Sequence, residues 1–298
     1  MNLLHLPTDQ TSASHSKELS MTTPDMHLSP PSQASTPSGQ LADDTPDVMT
    51  LHTQDAYRMF TGRSGDPAND APAIPGGRRF AAVLKSIWYL SANDNPYADW
   101  ILIRTYQTLG VIRTQMAQAI AVREAEFEAL RRKGLNLSVL SSRNPATVSL
   151  GFRSPYGYAT AEAIVEFDYH VRMVKTLVLK DRLSDTDGRA AIREVGRGLR
   201  RLFLEPIRWE RNLLREEMLP LGRRDFLPGA DEAARQRVRA AVALFGEVPR
   251  NVFTGAEAPR HSQRRTTPTA AELRLLQQAS LTIDMLPEQA APTAGQLL

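Results

Sequence analysis

The chain contains no cysteine among its 298 residues. This absence excludes disulfide frameworks, zinc sites built from cysteine ligands and thiol-based catalysis. Long apolar runs are absent too: the longest, Ala240 to Phe245, is far shorter than the roughly 20 residues that a membrane-spanning helix needs. The first residues lack the basic start and the apolar stretch of a signal peptide. We therefore expect a cytoplasmic protein that does not contact a membrane.

The motifs that mark common catalytic and cofactor sites are also missing. No lysine follows a glycine, which excludes a phosphate-binding P-loop, and neither His-Glu-x-x-His nor Gly-x-Ser-x-Gly occurs. Gly196 and Gly198 supply only half of a dinucleotide fingerprint, and they lie inside a helical pattern. Glu162, Glu166 and His170 share one helix face, but they flank its apolar stripe and are better explained as surface pairs. The sequence predicts no enzyme, no cofactor and no metal site.

Charge is distributed unevenly along the chain. Residues 1–70 carry three bases and nine acids, whereas residues 71–250 carry 29 bases and 20 acids, a net charge of +9. Most of these bases are arginines, whose planar guanidinium groups form paired hydrogen bonds to phosphates and carboxylates. Such a domain is consistent with nucleic-acid binding, and it is also consistent with a surface of solvated ion pairs.

The patterns divide the chain into a helical domain between two tails. Residues 1–46 are rich in Ser, Thr, Pro, Gln and Asp and lack an apolar period, which predicts a disordered segment. Residues 47–254 are predicted to form a mainly α domain with long antiparallel helices and a small antiparallel β-hairpin or sheet. Residues 255–298 are interpreted as a C-terminal tail with a short amphipathic helix near 269–285.

Two predicted helix starts carry a Pro-Tyr pair. Asn95 is a predicted N-cap with Pro96 at the first helical position, and this helix is expected to continue to Gly134. The other pair precedes a helix that is expected to begin near Tyr158. The aromatic rings are expected to be buried as structural elements while their polar atoms stay paired. The proposed structural set comprises Pro96, Tyr97, Trp100, Pro155, Tyr156 and Tyr158.

Alternating apolar residues predict the strands, and a proline sets the predicted end of a further helix. Residues 48–53 suit a short strand, and the alternating stretches 135–140 and 147–153 are predicted to pair with each other as a hairpin. A fourth helix is expected over residues 186–204. Pro206 is predicted to end it and to start a shorter helix through Met218.

The fourth predicted helix carries a stripe of arginines at helical spacing, which could neutralise several phosphates. Nearby acids could pair with these arginines instead, and Asp185 and Asp187 at the helix start would repel a phosphate. The stripe comprises Arg189, Arg193, Arg197, Arg200 and Arg201, and the acids that could pair with it are Glu194, Glu205, Glu210, Glu216 and Glu217.

Arg153 is a second candidate for DNA contact, on the outward face of the predicted strand 147–153. A strand followed by two helices resembles the ribbon-helix-helix plan, in which paired strands of a homodimer enter the major groove. Pairing with residues 135–140 of the same chain is the alternative, and it would remove the ribbon.

Four stretches resemble a bacterial family of integrating conjugative elements and related plasmids, the AcaB-like transcriptional regulators. They are Thr50 to Arg58 with Gly62 and Arg63; Ile87 to Trp100; Pro155 to Tyr158 through Phe167 to Tyr169 and Lys180 to Arg182; and Gly246 to Arg250 with Gly255. The resemblance implies a DNA-associated regulatory or accessory protein, acting on transfer genes through duplex DNA. A non-enzymatic adaptor that binds other proteins of the conjugative transfer machinery is the alternative. The resemblance covers neither tail.

Overall fold

The computed structural model describes residues 45–66, 68, 70–262, 264 and 269–284. The segment 1–44, for which disorder is predicted, and residues 285–298 lie outside the described residues. The described elements are β1 (Val48–Leu51), α1 (Gln54–Thr61), α2 (Gly77–Ala92), α3 (Pro96–Arg132), β2 (Ala146–Ser149), α4 (Pro155–Leu179), α5 (Asp185–Leu213), a 3-10 turn (Arg223–Phe226), α6 (Glu232–Phe245), α7 (Arg250–Phe253) and α8 (Ala270–Asp284). The predicted fold class, mainly α with long helices and a small antiparallel sheet, is confirmed.

The core lies among α2, α3, α4 and α5, which pack on one another. Each of these helices has apolar residues at three- and four-residue steps, so that one face of each is buried. Phe80 of α2 meets Phe203 of α5 with ring centroids 4.7 Å apart. The apolar stripe of α4 is buried at Ile164, Phe167, Val171 and Val174.

Helix α3 begins where its local signals predict. The Asn95 side chain accepts hydrogen bonds from the backbone N–H groups of Tyr97 and Ala98, and Pro96 occupies the first helical position. The helix ends at Arg132, just before Gly134 with its positive φ of 90°. Its buried stripe extends only to Met116, and farther along the helix Val122 is 71% exposed.

The predicted hairpin between residues 135–140 and 147–153 is wrong. Strand β2 pairs antiparallel with β1, with Met49 opposite Val148. β1 supplies a buried apolar face through Met49 and Leu51, whereas Leu135 and Leu140 of the stretch 135–140 are exposed. The end of that stretch bonds to α4 instead: the Leu140 N–H donates to Thr176 Oγ1 at 2.9 Å.

The predicted helix end at Pro206 is also wrong, because α5 continues through this residue to Leu213. A proline inside a helix removes one backbone hydrogen bond and crowds the preceding turn. Here Pro206 is buried, as are Leu202 and Phe203 before it and Leu213 after it. Packing on both sides of the proline therefore holds one continuous helix.

Two glycines allow a close backbone contact in the connection between α1 and α2. Gly62 has a φ of +75°, and a Cβ built on it would lie 2.4 Å from the carbonyl oxygen of Ile74. A Cβ on Gly76 would lie 2.3 Å from the Gly62 nitrogen. These glycines therefore permit a close backbone approach, which the bridge between Arg63 and Ile74 continues.

Within the part of the chain that the structure describes, none of the helices combines the length and the apolar composition needed to cross a lipid bilayer.

Candidate nucleic-acid interface

The surface of interest is the exposed face of α5. Projected at about 100° per residue, seven arginines fall within an arc of about 120° on this helix, roughly opposite the face that packs on α2, α3 and α4. All seven are exposed. We call this set the arginine surface; it comprises Arg189, Arg193, Arg197, Arg200, Arg201, Arg208 and Arg211.

The arginine surface is not neutralised by carboxylates of the described chain. Glu205, which could have paired with it, binds Arg104 of α3 at 2.7 Å. Glu210 binds Arg79 of α2 and is buried. Among the described residues, no carboxylate oxygen lies within 4.0 Å of a nitrogen of the seven arginines. Their charge is therefore available to an anion from outside the described part of the chain.

Arg153 lies elsewhere, in the connection between β2 and α4. It is exposed, as are Thr147 and Ser149, whereas Val148 is half-buried, so the predicted alternation of this strand holds. β2 pairs with β1 of its own chain. The alternative to the ribbon-helix-helix plan was also a pairing within the chain, but with residues 135–140. The structure does not place Arg153 on the same helix as the arginine surface.

A comparison with models of protein families decides which family the chain belongs to. The chain matches the family model described as transcriptional regulator AcaB over residues 37–265. The chain belongs to the AcaB family. The arginine surface lies entirely within the matched residues, as does Arg153.

The AcaB family match is accompanied by a distant structural similarity. The crystal structure of selenomethionine-containing AcaB from uropathogenic E. coli has 17% sequence identity to this chain and a TM-score of 0.46. The similarity covers 77% of this chain and 96% of that one. At this level, no residue role is transferred from that protein. No curated protein sequence matches the chain.

In this AcaB family member, the tyrosines of both Pro-Tyr helix starts form hydrogen bonds to the chain that follows α6. The Tyr97 hydroxyl donates to the Gly246 carbonyl at 3.0 Å, and the Tyr156 hydroxyl donates to the His261 carbonyl at 3.0 Å. Both rings are buried, and burial raises the pKa of Tyr156 to about 12. Each hydroxyl therefore remains a proton donor at neutral pH. Pro96 and Pro155 stand at the first positions of α3 and α4.

The other two aromatic residues of the structural set are less buried. Trp100 is half-buried and meets Trp209 edge-on at 5.2 Å. Tyr158 is 41% exposed, so the expected burial does not hold for this ring, although its hydroxyl donates to Asp47 Oδ2 at 2.5 Å.

A buried ion network joins the start of α3 to the C-terminal part of the domain, and the sequence did not reveal it. The Arg223 guanidinium donates to Asp99 Oδ2 at 2.8 Å and to Asp94 Oδ1 at 2.7 Å. It also donates to the carbonyls of Val252 at 2.7 Å and Phe253 at 2.6 Å. The signal available in the sequence was an aspartate at position 99 inside an apolar helix start, since a buried carboxylate requires a partner.

Arg264 adds a second guanidinium to this network. It donates to Asp99 and lies 3.2 Å from Asp94 Oδ1, while the Ser91 hydroxyl donates to Asp99 Oδ1 at 2.5 Å. Asp99 has no exposed surface. Two arginines thus balance two aspartates, and they hold residue 264 against the start of α3.

The predicted surface pairing of Glu162, Glu166 and His170 is corrected by the structure. Arg113 of α3 binds Glu162 at 2.5 Å and Glu166 at 2.6 Å, whereas His170 is buried and pairs with neither. Burial is the main cause that lowers the pKa of His170 to about 4, with the charge of Arg123 second. In the described part of the chain, no group of three His, Cys, Asp or Glu residues is placed to hold a metal ion.

His170 makes stability depend on pH. Its pKa is about 4 in the folded chain against about 6.5 unfolded, so the unfolded state binds the proton first and stability falls as pH drops from about 6.5 towards 4. We expect His170 to account for a loss of about 2–3 kcal/mol between pH 7 and pH 4.5. Urea unfolding at both pH values should show a smaller loss in His170→Gln by that amount. An equal loss in the two proteins would contradict this assignment.

Proposed function

We propose that this AcaB family member is a DNA-associated regulatory or accessory protein of an integrating conjugative element, and that it regulates transcription of transfer genes. The observation that carries the proposal is the arginine surface: seven exposed arginines on one helix face, with no carboxylate partner among the described residues. A regulator that acts by binding duplex DNA makes about half to two-thirds of its hydrogen bonds to phosphate and sugar.

The proposed DNA-binding residues are Arg189, Arg193, Arg197, Arg200 and Arg201 of α5 together with Arg153. Arginines that contact phosphates displace condensed cations from DNA, and this release makes binding strong at low salt and weak at high salt. Arg153 would make a separate contact, because it lies before α4 and not on α5.

An adaptor of the conjugative transfer machinery is supported less well. Such an adaptor could dock through the short amphipathic helix that the sequence predicts near residues 269–285. Helix α8 occupies this segment, and it buries Leu276 next to α7 and the 3-10 turn of its own chain. Leu276 is therefore covered by its own chain, whereas Leu275 is 41% exposed.

The proposal predicts where the protein is found in a cell that carries the element. Chromatin immunoprecipitation is expected to recover promoter DNA of the transfer genes, and deletion of the gene is expected to change their transcript levels. Occupancy without any change in transcripts would favour an accessory role. An absence of occupancy, combined with stable capture of transfer-machinery proteins, would favour the adaptor.

A further inference from the structure

The arginine surface consists of two groups along one continuous helix. The first group is Arg189 to Arg201, and the second is Arg208 with Arg211. Leu204 lies between them within the same arc and is 37% exposed. At 1.5 Å of rise per residue, the centres of the two groups are about 20 Å apart and the whole surface is about 33 Å long. Pro206 does not interrupt this length, because α5 runs unbroken to Leu213.

The chemistry of this face favours a duplex over a single strand. Proteins that hold single strands stack bases on aromatic side chains. The exposed arc of α5 holds no aromatic residue, since Trp209 lies outside the arc and is half-buried against Trp100 and Phe245. The arc offers exposed guanidinium groups, which form paired hydrogen bonds to phosphates such as those of a sugar–phosphate backbone.

The spacing of the two groups also suits two backbones. The major groove of B-form DNA is about 12 Å wide, and a phosphate backbone lines each of its edges. Two arginine groups about 20 Å apart, with flexible side chains, can reach both edges from a helix that lies across the groove. The intervening Leu204 then faces the groove itself.

We propose that α5 bridges the two sugar–phosphate backbones of duplex DNA, with Arg189 to Arg201 on one backbone and Arg208 with Arg211 on the other. This inference rests on the proposed function. Because the contacts are made to phosphates, they contribute the same affinity to any sequence of duplex. Sequence selection by a regulator would then reside outside this face.

The test is fluorescence anisotropy of the full chain with a 24-base-pair duplex and its single strand, between about 50 and 300 mM salt. We expect the duplex to bind more than about 10-fold tighter than the single strand. Arg208→Ala with Arg211→Ala is expected to reduce the slope of log affinity against log salt by about 2. It is also expected to weaken a transfer-gene promoter duplex and an unrelated duplex by the same factor, about 60-fold at 0.1 M salt.

The matched control is Arg235→Ala with Arg239→Ala, which removes the same charge from α6, where Glu232 already pairs with both arginines. This control is expected to leave the slope unchanged. An unchanged slope in the Arg208 and Arg211 variant, while the wild-type chain binds duplex, would overturn the bridging inference alone. Tighter binding of the single strand would overturn it as well. A wild-type chain that binds neither nucleic acid would overturn the proposed function too.

Discussion

Replacing Arg223 by alanine is expected to lower the free energy of unfolding by about 3–5 kcal/mol, the cost of breaking a buried ion pair by removing one partner. Arg223 is 1% exposed, and its guanidinium donates to two carboxylates and three backbone carbonyls. Its loss leaves the Asp99 carboxylate buried with one cation in place of two, and it leaves the carbonyls of Val252 and Phe253 without this donor. Buried polar groups without partners cost about 1–3 kcal/mol each.

The measurement is urea unfolding at pH 7, compared with Arg224→Ala as the control. Arg224 is adjacent in sequence and exposed, so its removal is expected to change stability by no more than about 0.5 kcal/mol. Failure of the Arg223 variant to fold would agree with the large expected cost. A folded variant within about 1 kcal/mol of wild type would show that the network around Asp99 is not what holds Val252, Phe253 and Arg264 to the start of α3.

Changing Arg193, Arg197 and Arg200 together to alanine is expected to weaken duplex binding by roughly 500-fold at 0.1 M salt, because each lost phosphate contact removes about 0.9 from the salt slope. The three side chains are exposed and make no ion pair with a described carboxylate. Their removal is therefore expected to leave the core intact, which circular dichroism and the urea midpoint will show.

The control for this variant is the α6 pair Arg235→Ala with Arg239→Ala, extended by Arg131→Ala at the end of α3 so that three positive charges are removed in both proteins. Glu128 lies 3.5 Å from Arg131, and Glu232 is close to the other two arginines. Equal losses of DNA affinity in the two variants would mean that overall charge, and not the arginine surface, governs binding.

Local signals allowed the sequence to predict the helix starts well. Asn95 and Pro96 act on the first turn of α3 itself, so no distant residue is needed to place it. The end of α5 could not be predicted in the same way. Pro206 is unfavourable by local rules, and it is tolerated only because residues on both sides of it are buried by other helices.

Contacts between distant segments were the main source of error. β2 pairs with β1, about a hundred residues earlier in the chain, whereas the alternating stretch 135–140 is much closer in sequence. The link between Arg223 and Asp99 spans 124 residues, and nothing in their spacing marks them as partners. Long-range pairing depends on packing that a pattern of residue types does not contain.

In the candidate site, too, local features were predicted from the sequence and contacts between distant segments were not. Helical spacing alone predicted that Arg189 to Arg201 share a face, because that property depends only on residue positions along one helix. Arg208 and Arg211 lie on the same face only because α5 continues past Pro206, which was not predicted. Whether nearby acids neutralise them depended on other helices. Glu205 binds Arg104 of α3, and Glu210 binds Arg79 of α2. Only the folded chain therefore shows that these two acids do not neutralise the arginine surface.

The most direct test of DNA association through the arginine surface is the salt dependence of duplex binding by the unaltered full chain. The seven arginines of the arginine surface together with Arg153 set an upper limit of about 7 on the magnitude of the slope of log affinity against log salt. We predict a slope between about −4 and −6 for binding measured from 50 to 300 mM salt. No binding at 50 mM salt, or a slope near zero, would contradict the proposed role of this surface.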